Sequence, residues 1–266
     1  MKTVRRGDQG PAVSHLKKLL DGAGLQMTDT DSFDLVTEAG VRYLQEEYAL
    51  EKDGIVGPKT WEYVQQPTRL LSDLTSPLSW IQPGVPYYQQ RDNEYRPEGT
   101  CNVTSLAMVL AFHGVQPTKA AQLEDELYLR LQQPDALAEF NRSYPQLKRM
   151  GYKPRHIHGM LGWLAKQYGF KWKFSDKTTA SEMAWFGMTK GPLITSGSFT
   201  SAGHIIVIVG MTIGADLVVH DPYGNWDRGY QFDRNGKFRI YNRENMSKIL
   251  AGNSETKKRS HQISRS

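Results

Sequence analysis

Apolar positions along the first 66 residues recur at helical spacing. Val13, Leu16 and Leu20 share one face, with Pro11 near the first turn and Gly22 and Gly24 as stop signals. A second periodic segment runs from about Val36 to Tyr48, with Val41, Leu44 and Tyr48 on one side. Asp53-Gly-Ile-Val-Gly-Pro-Lys-Thr-Trp61 then makes a glycine-rich turn that enters a third short helix through Pro58. Residues 1–66 are therefore predicted to be a small all-α three-helix module with a small core of its own. The pattern stops at 67–83, where Pro67, Pro77 and Pro83 lie among hydroxyl residues, and a linker is predicted.

From residue 84 the periodicity is helical first and strand-like afterwards. Helices are predicted from Cys101, around 117–132, around 134–149 and from Met160 to Tyr168. Apolar, β-rich runs follow at Pro192–Phe199, His204–Thr212 and Asp216–His220, and an Asn235-Gly236 hairpin turn is expected within Gln231–Tyr241. Helices followed by antiparallel strands define an α+β domain over 84–250. Residues 251–266, with Lys257-Lys-Arg-Ser-His-Gln-Ile-Ser-Arg265, show no apolar periodicity, so a basic flexible tail is predicted there.

Composition narrows the function classes. The chain is 266 residues long and 39% hydrophobic, as expected of a globular protein. Its longest apolar run, Ile205–Val209, is strand length and far short of a bilayer span. No apolar stretch follows the basic N-terminus, so no signal peptide is predicted, and synthesis is expected in the cytoplasm with work outside it needing another exit route. A net charge of +5 favours an anionic partner such as nucleic acid, a membrane surface or a wall polymer. Zinc-ligand spacing, an aromatic ribonucleoprotein motif and a groove-reading basic helix are all missing from the sequence, so neither a nucleic-acid partner nor a metal or other cofactor is expected. A monomer is the default.

Cys101 is the only cysteine, which excludes an internal disulfide and a cysteine-rich metal cage. It stands at the entrance of the apolar helix Cys101–His113, where unsatisfied N–H groups and the helix dipole favour a thiolate. Packing thiol and nucleophile both fit that position. A nucleophile needs a base within reach and a group that orients the base. His113 lies twelve residues along the same helix, about 18 Å away and out of reach. His15 falls in the small module and His261 in the tail, and His156 and His158 are read as loop residues. His204 opens the most apolar strand directly after Ser201-Ala-Gly203, and the next strand ends at His220-Asp221-Pro222. A hairpin between 204–212 and 216–220, turning at Ile213-Gly-Ala-Asp216, would bring His204 and Asp221 to one sheet edge, where a carboxylate would orient the ring and favour its charged form.

Two resemblances sharpen these expectations. Arg6-Gly-Asp-Gln-Gly-Pro-Ala-Val13, Thr37 with Val41 and Leu44-Gln45, and Asp53–Trp61 resemble the three-helix peptidoglycan-binding module of bacterial and phage wall hydrolases. The resemblance departs at Ser32-Phe-Asp34, where that family usually has Gly-Phe-Gly. Val85-Pro-Tyr-Tyr-Gln-Gln-Arg-Asp-Asn93, Cys101–Leu110, Gly203–Gly210 and Asp221-Pro-Tyr-Gly224 resemble papain-like cysteine peptidases of the bacteriocin-leader-peptidase-like branch. That resemblance implies Cys101 as nucleophile, His204 as general base, Asp221 as orienting acid and Gln90 as oxyanion-hole donor, with Gln89 second to it. Asn102 stands where that branch usually has Gly. Together the two resemblances imply a peptidoglycan hydrolase cutting wall-peptide amides, of the phage or prophage endolysin type and released by a holin. The alternatives are an N-acetylmuramoyl-L-alanine amidase using the same triad, a wall-binding protein with an inactive peptidase fold, and a transglutaminase-type acyl transfer.

Overall fold

The computed structural model describes residues 2–22, 27–28, 30–48, 50–65, 80–82, 84–212, 216–254 and 257–265. They divide into two units, one of Met1–Ser79 with Met211–Asp216 and one of Trp80–Gly210 with Leu217–Ser266. Most of the expected linker, 67–79 and 83, lies outside the described residues, as do Gly24, Gln66 and the turn residues 213–215.

In the first unit the helices are α1 (Pro11–Gly22), α2 (Leu35–Glu47) and α3 (Pro58–Val64). The predicted stripe closes the core: Val13, Leu16, Leu20, Val41, Leu44 and Trp61 are buried together with Val4, Phe33 and Val56. Side chains replace what glycine would do at 32–34. Phe33 is a core residue, and Asp34 caps α2 by accepting from the Thr37 N–H (2.9 Å) and hydroxyl (2.8 Å). Asp34 also pairs with the buried Lys17 ammonium at 3.0 Å. Burial raises the Asp34 carboxyl pKa, but hydrogen bonds from Thr28, Thr37 and Lys17 outweigh that and hold it below its ordinary value. Gln45 fixes the 53–60 turn, donating to Asp53 and the Ile55 carbonyl and accepting from the Gly54 N–H at 2.8 Å.

The second unit begins with β1 (Trp80–Ile81), so the expected linker ends before it, because these residues pair with a sheet strand instead of spanning solvent. The helical half follows as α4 (Cys101–Phe112), α5 (Leu123–Arg130), α6 (Pro134–Ser143), α7 (Pro145–Arg149) and α8 (His158–Gln167). From Asn102 to Leu110 every α4 residue is buried, as a helix apolar all round requires, and it packs against α5 and α8. The remaining elements are β2 (Phe170–Thr178), α9 (Ala180–Lys190), β3 (Leu193–Gly197), β4 (His204–Met211), β5 (Leu217–His220), β6 (Arg239–Tyr241), α10 (Arg243–Ile249) and β7 (Lys258–Arg265). The sheet order is β2-β7-β3-β4-β5-β6, with β1 also on β4. β4 and β5 are hydrogen-bonded neighbours in the sheet, as their apolar runs predict, and β4 is buried along its whole length.

Two expectations are overturned. The segment 251–266 is not a flexible tail: β7 lies inside the sheet, pairing with β2 from Phe170↔Arg265 to Ser175↔Ser260 and with β3 at Ile194↔His261. Ser260, His261 and Ile263 have no exposed surface. Its interior is polar and therefore shows no apolar period, because hydrogen bonds satisfy it. Ser260 shares one with Thr178 (2.7 Å), and His261 has bonds to His158 and Trp172. Asn235-Gly236 is not the tight turn of a hairpin within 231–241 but part of the long connection between the paired strands β5 and β6. Residues 231–238 form an irregular loop, because Gly236 folds onto Asp221, accepting its N–H at 3.0 Å. A Cβ at 236 would lie 1.8 Å from the Asp221 carbonyl oxygen, so only glycine fits there. The helix α9 escaped the periodicity reading although Thr179 and Glu182 form a capping box at its start.

A central β7 makes a prediction that a flexible tail does not. Ile263→Ala should cost about 2–4 kcal/mol in urea unfolding, and deletion of 257–266 should abolish the cooperative transition. A solvated tail would leave both curves unchanged.

Candidate active site

Cys101 is half-buried at the first position of α4, and its own N–H, like all first-turn amides, has no acceptor within the helix. One turn further on, the Ser105 hydroxyl donates to the Ile205 carbonyl at 3.2 Å. That bond ties the helix to the strand residue beside His204, so the separation of thiol and imidazole is set by a backbone anchor. Ahead of the helix, Gln90 donates its backbone N–H to the Pro222 carbonyl (2.9 Å), beside Asp221. Asn93 holds Thr100 and Thr104 at 2.9 Å each, fixing the approach to Cys101.

His204 Nε2 and Asp221 Oδ1 are 2.7 Å apart, and both residues are buried. Cys101 lines the same cleft as His204, and with Nε2 on Asp221 the nitrogen left for it is Nδ1. The Asp221 carboxylate also accepts from the Tyr223 N–H (3.0 Å), the Tyr230 hydroxyl (3.0 Å) and the Tyr241 hydroxyl (2.8 Å). Burial, followed by the negative charge of Asp221, raises the pKa of both tyrosines, so they remain protonated donors. Burial by itself lowers the His204 pKa. The charge and hydrogen bond of Asp221 and the Cys101 sulfur outweigh it and bring the imidazolium up to about 10 from its ordinary 6.5.

Gln90, Cys101, Asn102, His204 and Tyr223 line one cleft of about 750 Å³. The Gln90 amide is buried and donates one hydrogen to the Pro97 carbonyl at 2.8 Å. Its second N–H is uncommitted, and its Oε1 has no partner. Gln89 turns elsewhere and donates to the Arg234 carbonyl. Asn102 does not reach across the thiol: its amide donates to the Arg155 carbonyl at 2.5 Å and its oxygen accepts from the Val103 N–H. Ser105, Tyr230 and Tyr241 were not picked out from sequence. Ser105 left a signal as a polar residue on an otherwise apolar buried helix, whereas nothing near Tyr241 marks it as a partner of Asp221.

The other histidines separate from this group. His15 is exposed in the first unit, and His220 is buried as a spacer between the Val85 carbonyl and the Phe238 N–H. His156 lies in a short 3-10 turn and His158 opens α8, so the loop reading holds for neither. His261, expected in a tail, is a sheet residue. A thiol at a helix N-terminus, an imidazole and a buried carboxylate in series can generate a thiolate and return a proton to a leaving group.

An α+β unit with this arrangement is of the papain-like peptidase class. The model of the Peptidase_C39 like family matches residues 83–248, and the chain belongs to that family. The model of a putative peptidoglycan binding domain matches residues 9–63. Among solved structures, the Burkholderia AP3 phage endolysin aligns at 24% identity with a TM-score of 0.24. That alignment covers 54% of this chain and 52% of the endolysin, so the chain spans about half the length of the protein it matches. A search of curated proteins finds no match.

The raised His204 pKa has a definite sign. Between 6.5 and about 10 the folded chain keeps a proton that the unfolded chain loses, so this contribution is complete below pH 6.5 and disappears as pH climbs through 10. Urea unfolding of the intact chain should therefore weaken over that window more than unfolding of His204→Gln. Parallel curves for the two proteins would refute the ion-pair assignment.

Proposed function

We propose that the chain is a peptidoglycan hydrolase that cuts an amide of the wall peptide through Cys101. The observation that carries this reading is a helix-opening thiol in one cleft with a buried imidazole–carboxylate pair, in a chain whose N-terminal segment matches a peptidoglycan-binding model. The Cys101 sulfur attacks the carbonyl carbon after giving its proton to His204. The Cys101 N–H and the free Gln90 N–H stabilise the tetrahedral oxyanion. His204 then protonates the departing amine, leaving an acyl-enzyme. A water that surrenders its proton to His204 attacks the acyl carbon, and the carboxylic product leaves as the thiol is restored. Asp221 keeps the ring oriented and stabilises its charged form in the steps where His204 carries the extra proton.

The first unit would hold the enzyme on its insoluble substrate and raise the local substrate concentration. The positive charge of the chain acts in the same direction on a polyanionic wall. Among the described residues no helix is long and apolar enough to cross a membrane. We infer a phage-type lytic enzyme acting as a monomer, reaching the wall after holin-type release.

Purified walls incubated with Cys101→Ala should lose fragment release by at least about 10³-fold, and Asp221→Asn should lose about 10²–10⁴-fold. Unchanged release from Cys101→Ala would remove the thiol mechanism. Mass spectrometry of the wild-type fragments assigns the bond: shortened or uncrosslinked stems mark an endopeptidase, and intact free stems mark a muramoyl-alanine amidase.

A further inference from the structure

We propose that Arg155, Arg259 and His158 form an anion subsite in the active-site cleft that takes a carboxylate of the wall peptide beside the scissile amide. The proposal rests on the wall-peptide reading above and adds the chemistry by which substrate is selected.

Both guanidinium side chains line the same cleft as Cys101, and among the described residues neither has an acidic partner. The one carboxylate lining that cleft is Glu98, which already accepts the Tyr223 hydroxyl at 2.6 Å. Arg155 is tethered close to the chemistry, because its carbonyl holds the side chain of Asn102, the residue after Cys101. Arg259 comes from β7, where alternate residues share a face, so it projects on the same side as His261. Two guanidiniums without an acidic partner lining one cleft favour an anion, and their planar forks suit a carboxylate.

Hydrogen bonding fixes what His158 offers. The Trp172 indole can only donate, and it donates to His261 Nδ1 at 3.2 Å. The His261 proton is therefore on Nε2, which gives it to His158 Nδ1 at 2.8 Å. That places the His158 proton on Nε2, for which the described residues supply no acceptor. Burial, helped by Arg259, lowers the pKa of both rings, and His261 falls to about 3, so both remain neutral. His158 is thus a neutral N–H donor locked in one tautomer at the start of α8, where the helix end adds partial positive charge.

A further donor waits in the same place. Ser196 is 5% exposed, lines the cleft, and has a hydroxyl with no partner. Its carbonyl accepts from Ala251, whose carbonyl accepts from Arg259, so Ser196 and Arg259 are held beside one another by backbone bonds of 2.9 and 2.7 Å. A buried hydroxyl left unbonded is costly unless a ligand completes it.

The test uses the full chain carrying Cys101→Ser and a pair of synthetic stem peptides that differ only in a free or amidated α-carboxylate next to the candidate bond. Calorimetry should show the free acid binding at least about tenfold more tightly. Arg259→Gln and Arg155→Gln should each bring the two affinities within about twofold, and Arg259→Lys should recover most of the preference. Circular dichroism of each variant establishes that it is folded. Equal affinity of the two peptides for the parent chain, or weak binding of both, overturns the subsite. Hydrolysis by the wild-type chain is read separately. A retained carboxylate preference without cleavage would keep the subsite and reject the hydrolase reading, whereas cleavage without preference would do the reverse.

Discussion

A carboxylate with no exposed surface costs several kcal/mol to desolvate unless its oxygens are matched, and the arrangement of this fold around Asp221 follows from that requirement. One oxygen takes the imidazole of His204 and a backbone N–H, and the other takes the hydroxyls of Tyr230 and Tyr241. Its backbone is held as tightly. The Asp221 N–H goes to Gly236, and its carbonyl accepts from Tyr87, whose hydroxyl in turn accepts from the Gly236 N–H. Each partner comes from a different segment, so satisfying this one charge assembles β4, β5, β6 and the 231–238 loop at a single point. The charge is then expressed through His204, whose proton it retains well into the alkaline range.

The thiol is positioned by different means. Its place is fixed by the helix it opens, and the helix is fixed by burial on every side and by Ser105 on the strand of the histidine. Helix and sheet therefore bring thiol and imidazole into one cleft as rigid elements, and the precision of their placement is inherited from the core. Gln90 follows the same logic, its backbone pinned beside Asp221 and its amide turned to the cleft.

Legibility in the sequence followed the type of force involved. The three helices of the first unit, the apolar α4 helix and the β4–β5 pair are held by apolar burial, and their periodicity announced them. The proximity of His204 and Asp221 was legible because a tight hairpin leaves one geometry open. The buried polar parts were not. β7 is stabilised by its ladder and by hydrogen-bonded serine, threonine and histidine side chains, which in one dimension look like a solvated basic run. For the same reason Asn235-Gly236, a strong hairpin signal, was misleading, since glycine was required there by the approach of Asp221 and not by a turn. Tyr230 and Tyr241 carry no local signature, because a hydroxyl that completes a distant carboxylate depends on tertiary contact alone.

The misread strand also links architecture to chemistry. Had Lys257–Arg265 been a tail, its charge would act only at long range and be largely screened at physiological salt. As an inner strand it delivers Arg259 to the cleft wall and His261 to the relay that sets the His158 proton. The basic excess of the chain is thereby partly converted from a diffuse attraction for an anionic wall into a directional one beside the nucleophile. In the proposed reading the two act on different scales: net charge would raise the rate of encounter, and the fixed guanidiniums would select which peptide is held once encountered. The arrangement of Asp221, His204, Cys101 and Gln90 is held by other contacts than those that place Arg259 and His158.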